Sequence, residues 1–561
     1  MMKLTIGGKQ VALPINSKIS IERVSPLMND DSGSYSFPFP VPTLPNQQNL
    51  GWPGNLNRVG DIADQSFILE EGGIQILRGE VDYDDITAKE IGIILQSGHT
   101  EFKMKMEGRK LNEIDYGSEW WPASNLYTPV TPSLADKLAE WDLANTTDNG
   151  RYAAAPFLIS IDGVLKTVNY QDWSGAGDTT IHLENTPAGA AGQNAIGFLC
   201  LQFKISFVIG KIFESAGFTV TRNDLKDSEF CNAVFLGKVM HLVHYGAAKL
   251  NMEFDLLYYA KLMPEIEILT FLKSVKDMFC LVYIIDEMRK EVQIKFVKTV
   301  FFPENLDALE LKELTGWTHK VVRAQKGFWL TYGNQDNELD TRSNYPEWIN
   351  QVYSLPTPST EGEIVRVPRL DRDYITILND NNDLEWQEIG RLKAYPELPG
   401  ENVVEIDVKV PAQKQYVNHS IVLECPYLPN LTLQDYTKMY YERDFTSDVP
   451  LTITLYHGRR TFAGLVNYPY ASAAKVSIDG LIDTGLSLKP AYLYNSLYSE
   501  FLNWQTFRAR GFNKYVELSL VQLCALEWGR RYMISGVQVI FSKISYDLPY
   551  DGKVMVEGFT A

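Results

Sequence analysis

In segment after segment of this chain, apolar residues fall at every second position until a turn residue intervenes and the pattern resumes. Lys18-Ile19-Ser20-Ile21-Glu22-Arg23-Val24 is one such run; SFILEE (66–71), GIQILRGEVDY (73–83), EIGIILQ (90–96) and EFKMKME (101–107) follow. A period of two sends successive side chains to opposite faces of an extended backbone, so each run predicts a strand buried on one face. Residues 1–13 add a hairpin, KLTI and KQVAL around Gly7-Gly8, because Gly-Gly supplies the positive φ that a two-residue hairpin turn needs. The aromatic content (30 Tyr, 26 Phe, 11 Trp) agrees, since aromatic side chains suit a pleated, half-buried surface.

One stretch interrupts the alternation. Residues 34–58 carry Pro38, Pro40, Pro42, Pro45 and Pro53. Proline has no N–H for a ladder, so this cannot be a central strand, and alternating X-Pro favours extended chain. Yet Phe37, Phe39, Val41, Leu44 and Trp52 need cover. An apolar arm laid over a neighbour satisfies both facts and makes Phe37, Phe39 and Trp52 the candidate subunit interface; a loop packed on its own domain is the plainer reading.

The middle has another period. In residues 201–222, Ile205, Val208, Ile209, Ile212, Phe213 and Ala216 follow helical spacing, and Gly217 stands where a left-handed C-cap is needed before the strand FTVT. A second helix is predicted from Pro264, with Ile268, Leu269, Leu272, Val275, Met278 and Phe279 as its buried stripe. The hairpin LVYIID, turn Glu287–Lys290, EVQIKFV comes next. Strand patterns resume over 326–470 and 475–561, with one helix around 493–507. At 561 residues the chain exceeds the roughly 250–300 at which a single core stops growing. The expected fold class is a β-rich, multidomain α+β protein, with antiparallel β-barrel or sandwich domains and an α+β middle domain. Its divisions are an N-terminal β domain (1–150) bearing the Pro-rich arm, a β-rich insert (151–200), the α+β domain (201–300), a second β domain (301–470) and a C-terminal β-rich region (471–561).

A formal net charge of −18 argues against coating nucleic acid, which takes a basic face. The densest basic spots, Gly529-Arg530-Arg531 and Gly458-Arg459-Arg460, read as solvated strand ends. Five cysteines, widely spaced and without a C-x-x-C pair, fit a reducing cytosol. Neither a secretory signal nor an apolar run of about 20 residues is seen.

Chemistry leaves few marks. No Gly-rich phosphate loop, nucleophile elbow or H-E-x-x-H occurs. His241 and His244 would share a helical face, but VMHLVHYG reads equally as a strand, and zinc would need two further ligands. Asp336–Asp340 and Asn379–Asp383 lack the spacing of an EF-hand and read as turns. No catalytic, cofactor-binding or metal residue is therefore named, and no enzyme activity or cofactor is expected.

Residues 18–56, KISIERVSPLMNDDSGSYSFPFPVPTLPNQQNLGWPGNL, resemble the N-terminal region of tail proteins of phages and prophages, where a strand, an S-Y-x-F-P-F-x-x-P patch and an Asn-rich turn follow in that order. ISFVIGKIFESAGFTV (205–220), the segment 267–296 and YMISGVQVIFSKIS (532–545) resemble the interior and end of tail hub proteins: a helix ending at Gly, a helix with an FL pair leading into a strand and hairpin, and a late strand closing a β-domain. Residues 119–200 have no counterpart in that pattern. The resemblance implies a structural tail protein, a hub or baseplate ring at the distal end of the tail tube. It implies a homotrimer beside tail-tube, distal-tail or tape-measure-like proteins, located in the virion tail and assembled in the host cytoplasm. No sequence-specific nucleic-acid binding and no membrane span are expected. A tail-tip adhesin binding carbohydrate or a receptor is the alternative; a glycoside hydrolase without a recognisable motif is the second alternative.

Overall fold

The computed structural model describes residues 2–27, 33–51, 65–120, 150–153, 155–161, 164–169, 195–199, 201–236, 241–245, 256–302, 308–315, 318–320, 329–332, 359, 364–367, 372–378, 383–390, 403–406, 408, 412–418, 421–431, 451–462, 465–472, 474–476, 482–488, 490–501, 504 and 509–560. The β-rich, multidomain fold read from the alternation is what is seen.

The first hairpin forms as its glycines dictate. Met2–Ile6 pairs with Lys9–Val11, and Gly7 and Gly8 both take positive φ (55° and 76°). The sheet then runs through Gln65–Glu71, Ile74–Ile86 and Glu90–Ser97, each antiparallel to the last. Their inward residues, among them Leu4, Ile6, Phe67, Leu69, Leu77, Ile91 and Ile93, make one apolar core.

The Pro-rich stretch does enter the sheet, at its edge. Phe39–Pro42 pairs with Glu90–Ser97, Phe39 opposite Ile93 and Val41 opposite Ile91. Pro40 is exposed while Phe39 and Val41 are buried, so the period-two pattern holds inside the proline run. Past the strand, the Asn-rich turn reaches the free edge of the first hairpin. Asn46 Oδ1 accepts from Ala12 N–H (2.7 Å), Asn46 Nδ2 donates to Ala12 C=O (2.9 Å), and Asn49 Nδ2 donates to Gln10 C=O (3.1 Å). Side-chain amides thus hold the backbone of Gln10 and Ala12, in and just past strand Lys9–Val11, and the arm bridges one edge of the sheet to the other. That covers an edge that would otherwise template foreign strands.

A closed unit is formed mainly by the other end of the chain. Leu309–Glu313, Gly511–Glu517, Lys553–Thr560, Val537–Leu548 and Tyr532–Ile534 pair in a ring, each strand with the next and the last with the first. The second half of Val537–Leu548, from Lys543 to Leu548, also pairs with Ile19–Val24, so one 12-residue strand belongs to the barrel and to the N-terminal sheet. Residues 1–150 and 471–561, divided in the sequence reading, therefore share one sheet.

The α+β unit follows its sequence signals closely. Helix Ile205–Ser215 buries Ile205, Val208, Ile209, Ile212 and Phe213. Gly217 has φ 86°; Phe218 N–H donates to Phe213 C=O and Gly217 N–H to Glu214 C=O (both 3.0 Å), the paired bonds of a Schellman cap. Helix Ile268–Phe279 buries Ile268, Leu272, Val275, Met278 and Phe279, while Leu269 is only partly buried. It begins four residues after Pro264, so the proline precedes the helix rather than opening it. Strands Leu281–Asp286 and Glu291–Phe296 form the predicted hairpin, and Thr219–Asn223 joins it in parallel.

One reading needs correction. EFKMKME is part of helix His99–Met106, in which Phe102 and Met106 share the buried face at i and i+4; alternation over so few residues was outweighed by what the surroundings could bury. Residues Leu520–Cys524 form a short helix started by a capping box between Ser519 and Gln522. Across the divisions, Phe157–Ile161 pairs in parallel with Ile421–Leu431, and Ala233–Phe235 of the α+β stretch pairs with Ile453–Phe462.

Candidate subunit interface and the seams behind it

The three interface candidates do not fare alike. Phe37 is 47% exposed, with Tyr35 edge-on at 6.1 Å. Phe39 is 5% exposed and belongs to the chain's own N-terminal core. The strand it sits on turns it inward beside Ile93. Trp52 lies outside the described residues.

Behind this surface the α+β unit is latched to the N-terminal sheet by the hairpin turn 287–290. Glu287, almost fully buried, accepts from Ser34 Oγ. Met288 C=O accepts from Arg78 Nη1 at 3.3 Å. Lys290 pairs with Glu101, a carboxylate 1% exposed that also holds Lys105 at 2.8 Å, and Lys105 reaches Glu80 at 3.4 Å. Burial draws the Lys290 ammonium below its usual range, and the Glu101 carboxylate opposes that. Desolvating ions is costly unless they are paired, which accounts for the grouping. The seam has no local sequence signature, since Lys290 and Glu101 are 189 residues apart.

The barrel is fastened to the same unit from the other side. Arg531 donates to Phe301 C=O and to Gln538 Oε1 (3.0 Å). Gly529 takes φ 83°, where a Cβ would stand 2.5 Å from Val300 Cγ1. The Gly529-Arg530-Arg531 spot is thus a docking turn, not a solvated strand end. Side chains of Arg459 and Arg460 lie outside the described set.

His457 Nε2 lies 3.1 Å from Ser472 Oγ, but Ser472 is fully buried, so this is a hydrogen bond between neighbouring strands. Cys280 is buried, and burial pushes its thiol far above the usual range, away from the reactive thiolate. His241 and His244 fall on strand His241–Tyr245. Among the described residues no group of three or more His, Cys, Asp and Glu could hold a metal, and no helix is long and apolar enough to cross a membrane. Asp336–Asp340 and all but Asp383 of the 379–383 turn lie outside the described residues.

No protein-family model matches the chain, and no curated protein sequence does. Among solved structures, it is similar to the 43 kDa tail protein of prophage MuSo2 from Shewanella oneidensis. Identity is 7% and the TM-score 0.35, with 100% of this chain and 98% of that chain covered.

Proposed function

We propose that this chain is a structural component of a phage-type tail, a hub or baseplate ring at the distal end of the tail tube. One observation carries the reading. The four segments that resemble tail and hub proteins are the ones that tie the molecule together. Ile19–Val24 and Gly33–Ser36 bind Val537–Leu548 to the N-terminal sheet. Val537–Leu548 is the late strand that completes the C-terminal barrel. The Gly217-capped helix and the helix–hairpin 268–296 form the unit latched between them. A chain whose distant segments join an N-terminal sheet to a closed barrel, with an α+β unit clamped to both, suits a load-bearing part.

On this reading the chain acts by assembly and turns over no substrate. Its expected neighbours are further copies of itself, a trimer for preference, and other tail proteins. Three chains would carry 3 × −18 = −54 formal charges. An acidic lumen would repel passing DNA weakly, over a Debye length of about 8 Å, rather than hold it by phosphate contacts. The test is deletion of the gene from a producing strain, with electron microscopy of the particles. Tails that stop short or lack a tip support the reading; intact tails overturn it. Polysaccharide or peptidoglycan cleavage by the purified chain, lost on changing one carboxylate, would favour an enzyme instead.

A further inference from the structure

We infer that the helix–hairpin segment 268–296 is held on the N-terminal sheet by an acid-released latch whose trigger is the imidazole of His99. The buried apolar residues of the N-terminal sheet and those of the α+β unit form two separate clusters. The turn 287–290 meets the sheet, and the helix that leaves it, through hydrogen bonds and an ion pair: Glu287 with Ser34, Met288 with Arg78, Lys290 with Glu101. His99 stands on the same line of contact. It is the first residue of helix His99–Met106 and follows Gly98, where a Cβ would lie 2.9 Å from Glu287 Cγ. Its ring bonds the backbone of Tyr283 on strand Leu281–Asp286, while Nε2 is sealed from water and has no hydrogen-bond partner. A sealed ring nitrogen with no acceptor beside it costs far more as a charged N–H than as a neutral lone pair.

The surroundings of His99 oppose a positive charge. Helix Ile268–Phe279 presents Lys276, whose ammonium disfavours a second cation. The Tyr283 hydroxyl donates to Leu272 C=O (3.1 Å). In the turn, Glu287 accepts from Ser34 and Lys290 pairs with Glu101; on His99's own helix, Glu101 also holds Lys105. From the sheet come Arg78, on Met288 C=O, and Glu80, on Lys105. The start of a helix carries partial positive charge, which disfavours an imidazolium as well. The closed latch keeps the ring neutral down to about pH 4, whereas a ring freed by opening takes a proton near the ordinary 6.5. The open form therefore binds the proton, and acid favours it. The barrel side of the unit is held differently: Ile540 sits in the α+β cluster, Phe301 packs on Trp504 with ring centroids 4.7 Å apart, and Arg531 donates to Phe301 C=O. Opening frees one side of the unit and leaves the other docked. The inference stands apart from the tail reading.

The experiment is hydrogen exchange of the full chain, read by mass spectrometry at about pH 7.5 and about pH 5 and corrected for the intrinsic pH dependence of amide exchange. Helix His99–Met106 has eight residues, too few to persist without cover, so its amides report opening. With the ring titrating near 4 when closed and near 6.5 when open, the opening equilibrium should rise about thirtyfold between those conditions. Peptides of the barrel hairpin 532–548 should keep their protection. In His99→Gln the rise in the helix should fall below about threefold. Lys276→Gln keeps the histidine and removes the opposing cation, so it should reduce the rise, and it decides the matter if His99→Gln does not fold. A rise as large in both variants as in the wild type overturns His99 as the trigger. An equal rise in the barrel peptides overturns the latch, because acid then loosens the whole chain. No rise in the wild type, or greater protection in acid, overturns the inference outright.

Discussion

At Gly217 one backbone torsion decides whether a helix can stop where the fold needs it to. With φ 86° and nothing within 4 Å of where a Cβ would lie, substitution there meets no neighbour, so its cost is conformational. Gly217→Ala should lower stability by about 1 kcal/mol, and Gly217→Val by more, read as a shift in denaturant midpoint. Phe37 and Phe39 separate on burial alone. Phe39→Ala should cost roughly 3–5 kcal/mol by opening the N-terminal core, whereas Phe37→Ala should leave the melting temperature nearly unchanged. Equal effects in thermal melts would refute that division. His99 adds a pH dependence. Its Nε2 is sealed from water without a hydrogen-bond partner, and burial lowers its pKa to about 4 from the ordinary 6.5, against a backbone hydrogen bond with Tyr283. Between those values the unfolded chain binds a proton that the folded chain refuses, so His99 erodes stability as pH falls from about 6.5 to about 4, by about 3 kcal/mol. His99→Gln should flatten that part of the stability–pH curve; an unchanged slope would show that His99 does not titrate as described.

At the level of elements, what was legible in the sequence is what local physics decides. The Gly7-Gly8 turn, the Gly217 cap and the hairpin at 281–296 came through because two to six residues fix each of them. The helix His99–Met106 was misread because Phe102, Met104 and Met106 satisfy period two as well as Phe102 and Met106 satisfy i, i+4, and only the partners of Glu101 distinguish the two. The Pro-rich arm leaves two readings open in sequence, an arm over a neighbour or a loop on its own domain. Its prolines do restrict it to an edge, but nothing local reveals that the edge belongs to its own sheet. Where elements meet, Gly529 is the sharpest test. Gly529→Ala combines a left-handed backbone with a Cβ driven into Val300 and should cost about 2 kcal/mol or more. Hydrogen exchange should show faster opening in Leu281–Asp286 and in the barrel hairpin 532–548; protection unchanged at both would mean that the two units are not braced through this turn.

For the whole molecule the governing contacts are distant in sequence. Ile19 pairs with Leu548, and Leu309–Glu313 completes a barrel whose other strands begin at Gly511. Such pairings set the architecture yet leave no periodic trace, which is why the chain's divisions were drawn as consecutive blocks and the sheet instead joins its two ends. The candidate interface was only partly legible for the same reason: composition marked the arm as unusual, while the packing of Phe39 and the exposure of Phe37 depend on which neighbours arrive. The central claim is a place in a particle, and the most direct measurement is a cryo-electron microscopy map of the tail made by a strain carrying this gene. The account predicts density for this chain on the tail axis at the distal end, as a ring of copies, three for preference, whose lumen is net acidic. Density away from the axis, or a lumen lined mainly by Lys and Arg, would contradict it.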